Sequence, residues 1–424
     1  MKKVYIYALA YALTAVSCQD NEWGADSATP QAPEIEIPMG AADGELLIKF
    51  VPEMSDILDQ TLTRVGGVAT RSGIPSTDEV LNILGAYHFE RVFPVDPKTE
   101  KRTREAGMHL WYIVRFDKDA DLKEAARQLR KLGEISKIQS NPTLQRAYDP
   151  KKKTLYLSAS DLQHVTRTSE GLTFNDPGLK HQWHYRNAGN YDFVKKDRAE
   201  AIAGADVNCG EAWELCKGDP SIIVAVLDEG VMWSHPDLIA NMWTNEAEEI
   251  GSTEDKDGNG YKGDRYGYNF VKNTGVISWT SADDTGHGTH VAGTIAAENG
   301  NSIGVSGIAG GDGNTGSGVK IMTCQLFDGQ YGATLAAEAK AIKYAADNGA
   351  VVLQCSWGYN SPDANEALGY VPGPKNEQDW ENQYPLEKEA LDYFIHNAGS
   401  PNGVIDGGLA IFASGNEYAP SSSF

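Results

Sequence analysis

Cysteine is scarce, five in 424 residues, too few for a scaffold built on disulfides. Long apolar runs are missing as well: no stretch of about 18 apolar residues could cross a membrane as a helix. Positive charge falls short, with 37 Lys+Arg against 59 Asp+Glu for a formal net charge of −22. A surface of that sign repels nucleic acid, which is excluded as a partner. What remains is a globular composition, 41% hydrophobic and 23% charged, on a length that suits two or three domains.

The first residues are the most hydrophobic of the chain. Lys2 and Lys3 precede an uncharged run over 4–16 and then Ser17 and Cys18, so residues 1–17 read as an export signal. Ala15-Val16-Ser17-Cys18 resembles the lipobox of bacterial lipoproteins. That resemblance implies lipidation of Cys18, a membrane anchor and a cell-envelope or surface location. A plainly secreted protein with a chance cysteine is the alternative. Residues 18–40, acidic and then Pro-rich, read as a tether.

Residues 41–145 carry a small α+β pattern. Residues 46–50, 111–116 and 135–139 read as strands. Ser76-x-x-Glu79 reads as a capping box opening a helix with Val80, Leu81 and Leu84. Asp121 with Glu124 caps a second helix whose apolar residues are Leu122, Ala125, Ala126, Leu129 and Leu132, with Gly133 as its stop. The order fits a split-βαβ unit. Residues 146–180, basic and then Ser/Thr-rich, read as a connector. From 181 onward the apolar runs 222–227, 319–326, 351–355 and 409–413 alternate with helices, the clearest over 333–348. Such alternation predicts an α/β fold with a parallel sheet, its site at the carboxyl ends of the strands. The chain stops shortly after the last run, with nothing there that reads as a domain terminus.

Three motifs fall at those strand ends. Asp228 directly follows the run 222–227 and precedes Glu229-Gly230; a turn or helix-capping aspartate would read the same way. In Asp283-Asp284-Thr285-Gly286-His287-Gly288-Thr289-His290-Val291-Ala292-Gly293 a histidine stands between glycines where a helix begins. Imidazole is suited to take a proton from a hydroxyl, while a histidine satisfied in the core is the ordinary alternative. Ala413-Ser414-Gly415-Asn416 ends the last strand with an amide, a neutral donor suited to a developing oxyanion.

In this order and on these elements the motifs resemble the subtilisin-like serine proteases, the subtilases. The resemblance runs from about residue 175 and includes Asp228-Glu229-Gly230 with His235-Pro236-Asp237-Leu238, Gly286 to Gly293, Ser356-Trp357-Gly358, and Ala413 to Asn416. It implies a catalytic domain over 181–424 that is incomplete at its C-terminal end, acting as a serine endopeptidase on polypeptides. Asp228 would orient His287, His287 would deprotonate the serine, and Asn416 would donate to the oxyanion. Ser356, Trp357 and Gly358 would line one wall of the primary specificity pocket, and Ala413, Ser414 and Gly415 the other. The family's serine lies in Gly-Thr-Ser-x-Ala, a motif absent here; Ser421, Ser422 and Ser423 lack its flanking residues. The chain is therefore expected to stop before its catalytic serine and to be inactive alone. The alternative is a catalytically inactive surface binding lipoprotein of the same fold. By position and element order, residues 41–145 resemble a subtilase propeptide, which implies an intramolecular inhibitor. Glu229 stands where the family usually has Thr or Ser, and a second carboxylate there is expected to perturb His287 or its hydrogen bonds. The resemblance further implies a structural calcium held by Asp237, Asn301 and the carbonyls of Ile303 and Val305, and no organic cofactor.

Other signals are weaker. Asp255-Lys256-Asp257-Gly258-Asn259-Gly260 opens like an EF-hand loop, yet its twelfth position is Tyr266 rather than glutamate; calcium and an acidic surface turn both stay open. Residues 311–316 match G-x-G-x-x-G but precede a strand, so a surface turn is expected. His287 and His290 lack the spacing of a zinc helix. Asn208 and Glu211 read as cap and box partner of a helix carrying Cys209 and Cys216, about 10.5 Å apart along its axis, too far to bridge. Cys324 and Cys355 read as buried thiols. The polar, Pro-containing stretch 359–385 reads as a loop beside the cleft.

Overall fold

Alternation in residues 46–50 sends Leu46, Ile48 and Phe50 to one side of a strand and Leu47 to the other, and both sides are fully buried. That strand, β1 (Ala41–Phe50), is central to an antiparallel sheet with β2 (Ala86–Arg91), β3 (Trp111–Phe116) and β4 (Ile135–Pro142), in the order β2-β3-β1-β4. The computed structural model describes residues 41–64, 71–144, 174–189, 202–363, 372–399 and 405–414, all within one unit, Ile35–Phe424. The signal, the tether, Cys18, most of the connector, Gly415, Asn416 and Ser421 to Ser423 lie outside the described residues.

Helices α1 (Ser55–Arg64), α2 (Pro75–Ile83), α3 (Glu100–Glu105) and α4 (Leu122–Leu129) accompany this sheet. Leu81 of α2 and Leu122, Ala125, Ala126 and Leu129 of α4 pack with Leu46, Ile48, Phe50, Phe89, Tyr112 and Val114. Asp121 caps α4 as expected, accepting the Glu124 N–H at 3.0 Å. The helix ends at Leu129, four residues before Gly133. The capping box at Ser76 does not form. Pro75 occupies the first helical position, and Ser76 and Thr77 donate their hydroxyls to Glu134 instead.

The second sheet contains β5 (Ile223–Glu229), β6 (Gly267–Asn269), β7 (Lys320–Asp328), β8 (Tyr331–Gly332), β9 (Val352–Cys355) and β10 (Leu409–Phe412). Its order is β10-β9-β5-β7-β6, all parallel, with β8 antiparallel on β7. Every residue of β5 is buried, as a central parallel strand requires. Helices α5 (Cys209–Leu215), α6 (His287–Ala296), α7 (Leu335–Asp347), α8 (Glu377–Gln383) and α9 (Pro385–Asn397) follow in chain order. Ala225 and Leu227 pack with α7 and α9, while Val224 and Val226 pack with Ala292 and Ala296 of α6. The sheet is thus covered on both faces by helices. Outermost β10 leaves Leu409 and Ile411 more than half exposed.

Helix α8 falls inside the stretch read as a loop, because Asn376 caps it through the Asp379 N–H at 2.9 Å. Residues 311–316 form a turn, as expected. Asn208 is in the left-handed region at φ 52° with no side-chain cap bond, and α5 ends at Leu215, which leaves Cys216 extended beyond it. The two cysteines therefore do not share a helix. Cys209, Cys216, Cys324 and Cys355 are free thiols.

The outer face of the first sheet lies against α7 and α9. Leu47, Trp111 and Ile113 join the core that contains Leu386, Ala390 and Phe394. Two amides cap helix starts there: Asn141 Oδ1 accepts the Ala336 N–H at 2.9 Å, and Gln139 Oε1 accepts the Leu386 N–H at 2.8 Å. Glu389 gathers three donors, Lys49 Nζ at 2.7 Å, Trp111 Nε1 at 2.7 Å and Lys137 Nζ at 3.0 Å.

Candidate active site

Strand β5 runs one turn of pleat further than its apolar run, so Asp228 and Glu229 are its last two residues. The pairing with β7 shifts register between them, both carboxylates reach the start of α6, and both are almost wholly buried. Asp228 meets the imidazole of His287, the first residue of α6. His287 Nδ1 lies 2.9 Å from each Asp228 oxygen, and Asp228 Oδ1 also accepts the Glu229 N–H at 2.6 Å. The His287 side chain is about one-third exposed at 35%, against 3% for Asp228. One partner is locked in the sheet and the other reaches solvent.

Two glycines make the approach possible. Gly286 takes φ 79° to turn the chain into α6. A Cβ on Gly288 would stand 2.3 Å from the Glu229 carbonyl oxygen, so only glycine lets α6 lie this close to β5. Thr289 Oγ1 accepts the Met232 N–H at 2.9 Å and ties the helix to the chain beyond β5.

Glu229 grips the main chain at the start of the same helix. Its carboxylate accepts the His287 N–H at 3.0 Å, the Thr285 N–H at 3.1 Å and the Thr285 hydroxyl at 3.2 Å. Glu229 thereby caps the start of α6 across the sheet edge. Sequence reading missed Thr285, whose place two residues before His287 was the available signal.

Since β9 and β10 are neighbouring parallel strands, Ser356-Trp357-Gly358 and Ala413-Ser414 leave the sheet side by side at the Asp228 edge. The Ala413 N–H still reaches the Cys355 carbonyl at 2.9 Å. Trp357 is buried and packs edge-on against Phe412 at 5.0 Å between centroids. Ser356 Oγ accepts Gln354 Nε2 at 2.8 Å, and Gly358 is exposed. Behind this wall Glu387 accepts the Tyr359 hydroxyl and Trp380 Nε1. Burial raises the carboxyl pKa of both Glu387 and its neighbour Glu338.

Of the residues expected to hold calcium, Asp237 meets Asn301 and Val305, and Asn301 meets Ile303. Asp237 Oδ1 accepts Asn301 Nδ2 at 2.8 Å and Oδ2 accepts the Val305 N–H at 2.9 Å. Asn301 turns its nitrogen toward Asp237, and its oxygen accepts the Ile303 N–H at 2.8 Å. Asp176 stands close by, bonded to the Gly300 N–H and the Ser306 hydroxyl, with its Oδ1 buried and unbonded. Burial raises the Asp237 pKa. Among the described residues no lysine or arginine pairs with either carboxylate. Two buried acids with neutral partners and one orphaned oxygen fit a hard cation in donor chemistry. Elsewhere, Glu248, Asp255 and Asp257 bring ligand oxygens within 4.8 Å of one another. Those oxygens hold the local turn through the N–H groups of Lys256, Gly258, Gly260 and Gly263.

With the Asp228–His287 pair at the end of a central parallel strand, similarity to known proteins becomes informative. Residues 219–423 match the model of the subtilase family. They form a subtilase-family domain. Subtilisin-like protease 1 of Plasmodium vivax is 31% identical over 196 residues, 46% of this chain and 27% of its own. The halolysin-like extracellular serine protease Nep of Natrialba magadii is 31% identical over 159 residues, 38% and 25% of the two chains. Among solved structures, fervidolysin from Fervidobacterium pennivorans, titled a keratinolytic enzyme related to subtilisin, aligns with TM-score 0.45 and 18% identity over 90% of this chain and 41% of its own. The chain thus spans about a quarter of the length of these two curated relatives. No helix among the described residues is long and apolar enough to cross a membrane.

Proposed function

We propose that this subtilase domain belongs to an exported serine endopeptidase and that Asp228 and His287 are two members of its triad. One observation carries the reading: His287 Nδ1 hydrogen-bonded to both oxygens of a buried carboxylate at 2.9 Å. That contact fixes the ring and favours the tautomer with its proton on Nδ1. Nε2 would then accept the proton of a serine as its oxygen attacks the scissile carbonyl. The imidazolium so formed would be stabilised by Asp228, and the same proton would pass to the leaving amine. The serine itself would come from a Gly-Thr-Ser-x-Ala segment that these 424 residues do not supply. Asn416 would donate to the oxyanion. Ser356, Trp357 and Gly358 would form one pocket wall, with Ala413, Ser414 and Gly415 as the other.

Residues 41–145 would serve as propeptide and inhibitor, a role supported by the covered face and the two helix starts capped by Gln139 and Asn141. Export through residues 1–17 agrees with a relative named extracellular, and Cys18 would carry the lipid. Asp237 and Asp176, with the loop at Asn301, Ile303 and Val305, would hold a calcium ion, which would brace the chain leaving α6.

An active-site-directed fluorophosphonate tests the central reading. The gene product extending through a Gly-Thr-Ser segment should be labelled, and D228A or H287A should abolish labelling while the melting temperature stays within a few degrees. The 424-residue chain should stay unlabelled. Undiminished labelling of H287A would rule the assignment out.

A further inference from the structure

We propose that Glu229 is a positioning residue for the Asp228–His287 pair, acting through the backbone of His287; the inference rests on the reading of that pair as catalytic. Glu229 crosses from one element to the next. Its carboxylate spans from the end of β5 to the start of α6 and accepts from the Thr285 N–H, the Thr285 hydroxyl and the His287 N–H. Thr285 closes the loop by also accepting the His287 N–H at 3.3 Å.

The chemistry favours an anion here. The first N–H groups of a helix have no partner within it and form the positive end of its dipole. A carboxylate collecting two N–H groups and a hydroxyl makes charge-assisted bonds, stronger than neutral ones. Glu229 is 1% exposed, so water does not compete for them. Because Asp228 and Glu229 are adjacent in one strand, a single rigid dipeptide holds both ends of the histidine. Asp228 holds the ring and Glu229 holds the main chain. The ring can then meet both Asp228 oxygens without the loop 283–286 being free to shift it. Gly288 supplies the clearance for this two-point grip, through its close approach to the Glu229 carbonyl.

The hydrogen-bonded Nδ1–H of His287, observed by NMR in the intact 424-residue chain, reports the grip without requiring activity. In E229Q an amide must turn its NH2 toward some of the three donors, and in E229T the reach is lost. Both should speed exchange of the Nδ1–H and of the His287 amide by about tenfold or more, with protection in the β1–β4 sheet unchanged. E229D keeps the charge and should restore part of the protection. In the gene product carrying the serine, E229Q should lower kcat about 10- to 100-fold with KM nearly constant, as expected of a misplaced base. Folded E229Q with unaltered Nδ1–H exchange would overturn the proposal, as would equal loss of protection throughout α6 and both sheets. If E229Q fails to fold, E229D and E229T decide: a signal kept in the first and lost in the second supports it, and one equal in both overturns it. A serine-bearing product that cleaves nothing while the Nδ1–H still answers to Glu229 would remove the protease reading and leave this role standing.

Discussion

The two sheets use their residues in opposite ways. In the antiparallel sheet of β1–β4 the working surface is a face: Lys49, Trp111, Lys137 and Gln139 stand out from three strands and meet α9. In the parallel sheet the faces are filled by helices, and the Asp228–His287 pair, Glu229 and Ser356 stand at strand ends. A face spreads its energy over many contacts and tolerates the loss of one. An edge concentrates its geometry in a few atoms.

Substitution should expose that contrast. The largest effect is expected at the edge, from G288A. The new methyl would meet a main-chain oxygen at 2.3 Å that cannot rotate away, so α6 must retreat from β5. A loss of about 3 kcal/mol is expected, read as a lower denaturation midpoint together with loss of the His287–Asp228 contact. A variant as stable as the parent would show the edge to be softer than its packing indicates.

E389A tests the face. Removing the carboxylate strands Lys49, Lys137 and Trp111 Nε1 at once, and about 2 kcal/mol of docking should go with it. Calorimetry should then resolve separate transitions for the β1–β4 part and the parallel-sheet part where the parent shows one. A single unchanged transition would mean that the apolar contacts of Leu47, Trp111 and Ile113 suffice.

The smallest effect concerns pH and belongs to the first sheet alone. His109 is buried beside Arg104 and Arg91; burial first, then those charges, lower its pKa to about 4. Its Nε2 lies 3.0 Å from Ser55 Oγ. The folded form therefore keeps His109 neutral where the unfolded chain, near 6.5, already binds a proton. Stability should hold above pH 6.5 and fall as pH drops from 6.5 toward 4, by on the order of 1–2 kcal/mol. Urea denaturation at pH 7 and 4.5 measures the slope, and H109Q should flatten it. The same slope in H109Q would assign the acid sensitivity to other groups.

How much was legible followed the same division. The run leading to β5 stood out because a doubly covered strand must be apolar throughout, whereas β10 was legible from an apolar run that lies largely exposed. Asp228, His287 and the two pocket-wall segments followed from those strands' ends. Strand β2 was missed because only Phe89 and Arg91 of its six residues are buried. Glu90 binds Arg115 of β3, and Arg91 binds Glu100 of α3; ion pairs across elements leave no periodicity to read. The box at Ser76 failed because Pro75 already set the helix start, freeing the hydroxyl for Glu134. At Glu229 the residue was visible and its direction was not, since only the fold reveals that an inward glutamate at a strand end faces the start of another helix.

The exposed side of β10 has a colloidal consequence. Among the described residues its ladder partner is β9 and no described strand pairs with its other edge, beside the exposed Leu409 and Ile411. Such an edge is a template for a second strand, and self-association through it would align molecules side by side. The chain's net charge of −22 opposes that encounter. Salt shortens the range of the repulsion to about 10 Å at 0.1 M while leaving the apolar edge as adhesive as before. Self-association of this chain should therefore be least at low ionic strength and neutral or higher pH and grow as salt is added.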